Sequence, residues 1–451
     1  MTAIAAWTDE FAGVVARIGP RFARSEARVH AASYLRGLLG RAERKNSWQL
    51  AEAAGDASPY GLQQFLYRAT WDPDAVRDDL RGYVVEHLGD PQGILVVDET
   101  GFLKKGKASC GVARQYTGSA GKITNCQIGV FGAYVSSKGH AFVDRALYLP
   151  EEWTKDPARL RAARVPERVS FATKPELALG TVERAIAAGV PFAWVAADTV
   201  YGTGGVETGL RRAGKGYVLG AKATRPFNSW LGKPAVAGTA EEIAQGLDAS
   251  AWHRLSAGEG TKGPRLYDWA YLELADLDAD EFNPALSGTW TRGLLIRRDP
   301  GDGGCAYFST WCPAGTGIEV LAAVEGRRWA VEDAFETAKI ELGLDHNETR
   351  SWHGWHRHVS LVMLAFAMLA TIRHRANQTQ APPPKRGLPT MPHLPRTRPP
   401  SSAGRSRRSD ASPPASPSAA SAPPSAASAP PSSSPGRSGG GRTKPPNSAH
   451  I

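Results

Sequence analysis

Cysteine is scarce in this chain, with Cys110, Cys126, Cys305 and Cys312 the only four among 451 residues. No C-x-x-C pair occurs, so the sequence offers no zinc knuckle or redox centre, and the four read as reduced thiols. A run of about 18 apolar residues is also missing. The start of the chain carries Asp9 and Glu10 where a leader would have a basic and then an apolar segment. These absences predict a soluble, cytoplasmic protein.

Acidic and aromatic residues are nearly absent from one region only. From 376 to 451 there are ten Lys or Arg against the single Asp410, so this tail holds +9 of the formal +10. It has no Phe, Trp or Tyr, and more than half of the prolines, set among Ser, Ala and Gly. Such a composition cannot bury enough apolar surface to offset the entropy of ordering it, which predicts a disordered basic tail over 376–451. The remaining chain is close to neutral, so basicity alone says little about a nucleic-acid partner for the core.

The first ninety residues carry apolar side chains at three- and four-residue spacing, which predicts helices over 7–18, 25–42, 48–54, 60–68 and 74–88. Ser47 is a candidate N-cap, Gly55 a stop, and Ser58-Pro59 a start, making 49–70 a candidate helix-turn-helix with 60–68 as its reading helix. An ordinary helical bundle has the same features. At Gly93 the pattern changes: Ile94-Leu95-Val96-Val97 reads as a buried strand ending on Asp98. A Gly- and Lys-rich loop to about Thr124 precedes a hairpin over 127–135 and 141–148. A helix over 174–188 then leads to a second buried run, Phe192 to Ala197, ending on Asp198. After a helix near 205–213 and a strand over 217–220, residues 224–313 alternate β-type runs with turns and read as a mostly β insertion. The helical period returns through 326–342 and again over 359–372.

In a mixed sheet the first and fourth of these strands can be neighbours. Their ends then bring Asp98 and Asp198 within reach of a shared divalent ion, Mg²⁺ or Mn²⁺ by the hardness of the ligands. A third carboxylate has several candidates. Arg328, Glu332 and Lys339 share one face of the returning helix, which fits either a metal ligand flanked by phosphate-binding cations or a salt-bridged solvent face. Glu325 and Glu336 lie on nearly the same face and Asp333 within two turns, so spacing does not choose among them.

Arg328-Trp329-Ala330-Val331-Glu332, followed seven residues later by Lys339, resembles the Y-x2-R-x3-E-x6-K signature of insertion-sequence transposases in the DDE superfamily. The strings VVDETGFLKKGKASCGVARQYTG, LYLPEEW, AADTVYG and RRWAVEDAFETAKIELGLDHNETRSWHGWHRH resemble the insertion-sequence group numbered seven-zero-one, over roughly residues 30–372. The resemblance implies an α/β fold with an RNase H-like mixed sheet and flanking helices. In that fold 1–90 would be a helical DNA-binding domain, 91–223 and 314–375 the two parts of the catalytic core, and 224–313 the β insertion. It implies Asp98, Asp198 and Glu332 as a triad holding two Mg²⁺ (or Mn²⁺) ions, with Arg328 and Lys339 as DNA contacts. Double-stranded DNA, as transposon inverted repeats and target, would be the partner, bound by a dimer within the nucleoid. Two departures stand out: Glu325 takes the place of the signature's Tyr, and Asn347 that of a Tyr usual in the GLDHYE-like string.

Other features bear on the same surface. Lys104, Lys105 and Arg114, with Lys107 and Lys122, interleave with glycines near Asp98 and suit a phosphate backbone, or simply a solvated hairpin. Gly202-Thr203-Gly204-Gly205 fails the dinucleotide fingerprint at Glu207. His353 and His356, beside Trp352 and Trp355, read as aromatic and cationic packing in preference to a zinc site. The alternatives to a transposase are a non-catalytic DNA-binding relic with an altered tail and an RNase H-like nuclease without strand transfer.

Overall fold

The computed structural model describes residues 3–229, 235–260, 263–274 and 289–379. The tail expected to be disordered lies outside them from residue 380 onward. Helices α1 (Ala3–Ile18), α2 (Ser25–Leu39), α3 (Ser47–Ala54), α4 (Tyr60–Tyr67) and α5 (Pro73–Leu88) open the chain. Asn46, not the expected Ser47, caps α3 by accepting from the Gln49 amide at 3.0 Å, and Gly55 ends it at φ 77°. Asp72 and Pro73 start α5 in the same way.

Then follow β1 (Gly93–Leu103), β2 (Ala113–Thr117), β3 (Lys122–Ser136), β4 (Gly139–Leu147), α6 (Glu151–Thr154), α7 (Pro157–Ala162), α8 (Lys174–Ala187), β5 (Phe192–Ala197), α9 (Gly204–Arg212) and β6 (Gly216–Ala221). The segment expected to be a β insertion contains β7 (Pro226–Ser229), β8 (Val236–Thr239), α10 (Ala240–Gln245), β9 (His253–Gly260), β10 (Gly263–Glu273), β11 (Trp290–Arg298) and β12 (Cys305–Pro313). Helices α11 (Ile318–Arg327), α12 (Trp329–Ile340) and α13 (Trp352–Thr379) close the described chain.

The main sheet runs β3-β1-β5-β6-β12-β11-β10-β9, with β2 and β4 both paired to β3. β1 is antiparallel to β3 and parallel to β5, which is parallel to β6, so the core is the mixed, RNase H-like sheet that the resemblance implies. Strands β9 to β12 of the β segment prolong the same sheet, β12 pairing with β6 with Tyr217 opposite Trp311, whereas β7 and β8 form a two-stranded sheet of their own. A small second cluster, with Phe227, Ala240 and Leu294, sits under β7, β8 and α10.

One apolar core runs from Val14 and Leu38 through Val96 and Trp194 to Leu361 and Met368, joining the N-terminal helices to the sheet. Polar contacts cross the same boundary: the Tyr34 hydroxyl meets His358 Nδ1 at 2.8 Å, and Arg357 donates to the carbonyls of Leu66 and Trp71. Helix α13 is apolar and long enough to cross a membrane, but 67% of that stretch is buried within the molecule, as in a core helix.

One helix expected over 326–342 is in fact two, meeting at Arg328. A Cβ on Gly326 would lie 1.9 Å from the Ala257 carbonyl oxygen, so α11 touches β9 there, and Arg265 clamps the carbonyls of Ala257 and Gly326 at 2.7 and 2.8 Å. The tight turn that follows, with the Arg328 amide on Glu325 O and the Val331 amide on Arg328 O, re-aims the chain into α12.

Candidate active site

The last parallel pairs of β1 with β5 are Val96 with Ala196 and Val97 with Ala197, so Asp98 and Asp198 follow directly on adjacent strands. β5 ends there, whereas β1 continues to Leu103 against β3. Asp98 therefore sits within a strand, at the point where its neighbour on one side has turned away. The Asp198 turn is held from below: a Cβ on Gly220 would lie 2.5 Å from the Thr199 amide nitrogen, and one on Gly202 only 1.8 Å from the Gly220 carbonyl oxygen. Both positions demand glycine because backbone packs on backbone.

Each carboxylate accepts one local amide, Asp98 from Glu99 at 2.7 Å and Asp198 from Val200 at 2.9 Å. Burial, and then the charge of Asp198, pushes the Asp98 carboxyl up to about 7. Asp198 is raised too, by burial and by Glu99. Two hard oxygen donors sharing uncompensated negative charge fit a divalent cation in the donor chemistry expected of them.

Glu332 reaches this pair through an arginine. Arg328 Nη1 donates to Glu332 Oε1 at 2.9 Å and lies 3.8 Å from Asp98 Oδ2. Burial works against the Arg328 charge, but Glu325, Glu332 and Asp98 outweigh it and raise its pKa. Among the described residues no three His, Cys, Asp or Glu side chains are arranged to hold one metal ion. Glu332 lies on α12 with its carboxylate engaged by Arg328. Lys339, two turns further along α12, donates to Ser119 Oγ at 2.7 Å, beside the β2–β3 turn.

Four side chains at this centre, Glu99, Lys174, Tyr201 and Arg297, had no assigned role in the sequence. Glu99 receives Lys174 at 2.5 Å and the Tyr201 hydroxyl, placing a third carboxylate with its own cation beside the aspartates. Glu325 is 4% exposed, takes Arg297 at 2.9 Å, and leaves Oε2 buried without a partner. Its place in the signature marked it as unusual; the partners of Glu99 lie 75 and 102 residues away and left no local signal. A cleft of about 520 Å³ lined by Asp198, Lys222, Arg297, Tyr307, Glu325 and Arg328 opens beside the pair.

The loop cations separate from one another. Lys104 is held by the Asn347 carbonyl, and its pKa is lowered chiefly by burial, whereas Lys105 and Arg114 are exposed. Arg114 belongs to β2, a strand in what read as loop. Of the histidines, His356 binds the Trp352 carbonyl and packs on both Trp352 and Trp355, and His358 bridges Tyr34 to the Gly343 carbonyl.

The family described as DDE superfamily endonuclease matches residues 17–263, a span that holds Asp98 and Asp198 and ends before Glu332. A protein of Microchaete diplosiphon named "Probable transposase for insertion sequence element IS701" is 30% identical over 171 residues. That match covers 38% of this chain and 42% of the relative's length.

Proposed function

The chain belongs to the DDE superfamily of endonucleases, and from that premise we propose that it is an insertion-sequence DNA transposase centred on Asp98, Asp198 and Glu332. The observation that carries this reading is the Asp98–Asp198 pair on adjacent parallel strands, with Asp98 pushed up to about 7 by burial and by its neighbour. The three carboxylates would hold two divalent ions, Mg²⁺ or Mn²⁺, which when bound supply Lewis-acid polarisation of the phosphoryl group and a more acidic water.

The residues of the chain do the positioning. Arg328 holds the Glu332 carboxylate in line with Asp98, and handing Glu332 over to a ligand frees that guanidinium for a phosphate oxygen. Glu325 and Arg297 fix Arg328 from behind. Lys222 and Thr199 line the cleft in which the DNA backbone would pass. Hydrolysis makes a water oxygen–phosphorus bond and breaks the bond to the 3′-oxygen. Strand transfer then repeats the displacement with that 3′-hydroxyl on target DNA, with no covalent bond to the protein. Helices α1–α5 serve end recognition, with Tyr60 and Gln63 exposed on α4 as base-reading candidates, and a dimer brings two ends together within the nucleoid.

The test is a supercoiled plasmid carrying the inverted repeats that flank the gene, incubated with Mg²⁺ or with chelator. Nicking with joining is the expected result. Nicking without joining makes the protein a nuclease, and binding without nicking makes it a relic. Asp98→Asn, Asp198→Asn and Glu332→Gln should each abolish cleavage and keep DNA binding. If Glu332→Gln cuts normally while Glu336→Gln is dead, the third ligand is misassigned.

A further inference from the structure

A cleft of about 840 Å³ lies away from the acidic pair, between the α4–α5 turn, the end of β4, the 163–172 segment and the start of α13. Seven arginines line it: Arg77 and Arg184 pair with Asp144 and Arg145 with Asp74, which leaves Arg68, Arg164, Arg168 and Arg357 without an ion pair among the described residues. We propose that this cleft is a second DNA-binding site, which grips the phosphate backbone of the strand running on from the acidic centre. The proposal rests on the DNA-cutting reading above and adds a place for the DNA that nothing in the carboxylate centre requires.

The floor is cationic and incompletely paired. Arg357 is 6% exposed, lies over the Trp71 ring at 5.0 Å and donates to two backbone carbonyls with no carboxylate among its hydrogen bonds; its Nε is buried without a partner. Arg145, 2% exposed, shares Asp74 with Arg77 and also keeps an unpartnered Nε. A site that buries positive charge beyond what its own carboxylates neutralise attracts an anion from outside. At the rim, Arg68, Arg164 and Arg168 are exposed, with no ion pair or hydrogen bond from their guanidinium groups among the described residues.

Arg164 is the more telling of these. It ends α7 in the left-handed region, at φ 56°, the one non-glycine among the described residues with positive φ. The Val165 amide returns to the Leu160 carbonyl at 3.0 Å, a helix ending where glycine is the ordinary choice. The chain instead places an arginine there, its guanidinium 4.9 Å from the Tyr67 ring centre, and pins the turn to α13 through the Trp352 amide on the Ala163 carbonyl. Strain of this kind persists where a side chain is needed for something other than the turn.

Position links the two sites. Lys174, at the start of α8, reaches Glu99 beside the aspartates, and Leu177, one turn later, lines the arginine cleft. One helix, α8, thus carries a residue that reaches the acidic centre and, one turn later, a residue of the cleft.

The experiment measures binding of the full chain to a fluorescein-labelled DNA duplex by anisotropy over a salt series, for the parent and for Arg68→Ala, Arg164→Gly and Arg168→Ala. Arg212→Ala, exposed on α9 and outside the cleft, controls for loss of one surface charge. Each cleft variant should weaken binding several-fold and flatten the log–log salt slope by about 0.9 per lost phosphate contact. Arg164→Gly should do so while melting no lower than the parent, since glycine suits the turn. Cleft variants that bind with the parent's slope, or that fall no further than Arg212→Ala, overturn the cleft and leave the transposase reading standing. A parent that binds no DNA overturns both.

Discussion

Asp144 on β4 and Asp98 on β1 lie in the same sheet, and the sequence gives each as a lone aspartate in an apolar stretch. Asp144 is fully buried, and Arg184, Arg77 and Arg81 close on it at 2.8, 3.2 and 3.1 Å. Burial would raise its pKa, but these arginines and Arg145 outweigh burial and hold the carboxyl below the usual range. Asp98, its side chain 16% exposed, has Arg328 no nearer than 3.8 Å and Asp198 beside it, and is pushed up to about 7. Burial acts on both aspartates; what separates the proposed metal ligand from the structural aspartate is whether that burial is compensated.

The largest effect should come from the compensated aspartate. Asp144→Asn removes the only carboxylate shared by Arg77, Arg81 and Arg184 and should cost about 3–5 kcal/mol, because buried cations lose their counter-charge. Arg77 and Arg81 retain Asp78, so the loss should fall short of three independent ion pairs. Denaturant unfolding of the variant checks this. A midpoint equal to the parent's would mean that the cluster is solvated in solution and that the contrast with Asp98 has no energetic content.

Next is the backbone beneath Asp198. Gly220→Ala puts a Cβ within 2.5 Å of the Thr199 amide and 2.7 Å of the Asp198 carbonyl carbon, so the turn must move. If Asp198 holds the proposed metal, a displacement near 1 Å costs about 10²-fold in rate. Plasmid nicking should fall by that factor while far-ultraviolet circular dichroism stays unchanged. Undiminished nicking would show that the position of Asp198 is not set from below.

A smaller effect with the opposite sign separates the two aspartates by pH. A carboxyl raised by folding keeps its proton where the unfolded chain has released it. Stability attributable to Asp98 is therefore fully present near pH 4 and is lost as pH rises toward 7. Asp98→Asn, measured in chelator, should gain about 1–3 kcal/mol at pH 7.5 and nothing near pH 4. Asp144 runs the other way: its contribution is present at neutral pH and is lost as pH falls through its depressed value. A variant of Asp98 that is destabilised at pH 7.5 would place that carboxylate in the same class as Asp144.

How much of this could be read from the residues follows the range of the interactions. Strands β1 and β5 were plain because a strand buried on both faces is a continuous apolar run, and each run ends on its aspartate. β2 was missed because Ala113–Thr117 is short, half exposed and set among glycines and lysines. The break at Arg328 depends on Gly326 meeting Ala257, a contact between distant segments that no helical period records. Asp144 drew no notice for the same reason, since the three arginines that hydrogen-bond to its carboxylate lie 40 to 67 residues away. Local patterns carried the elements and the two aspartates, and the chemistry around them came from tertiary pairing.

The smallest expected effect bears on whether the cation at the far end of α12 belongs with the active site or with the scaffold. Lys339 donates to Ser119 Oγ, and Ser119 in turn meets Thr100 and the Gly101 backbone, so the lysine ties α12 to the strand that carries Asp98. Its pKa is lowered by burial, which a neighbouring phosphate would reverse. If Lys339 contacts DNA, Lys339→Ala should flatten the salt slope of end binding by about 0.9. Ser119→Ala, which only frees the ammonium, should then leave that slope intact. If Lys339 is a tether, the two variants should instead lose the same small stability, about 1 kcal/mol, and bind DNA with the parent's salt dependence. Melting curves and salt-titrated anisotropy on both variants separate the outcomes. A pair that matches in stability and leaves binding unchanged would remove Lys339 from the DNA contacts and keep Arg328 as the cation of α12 that serves the centre.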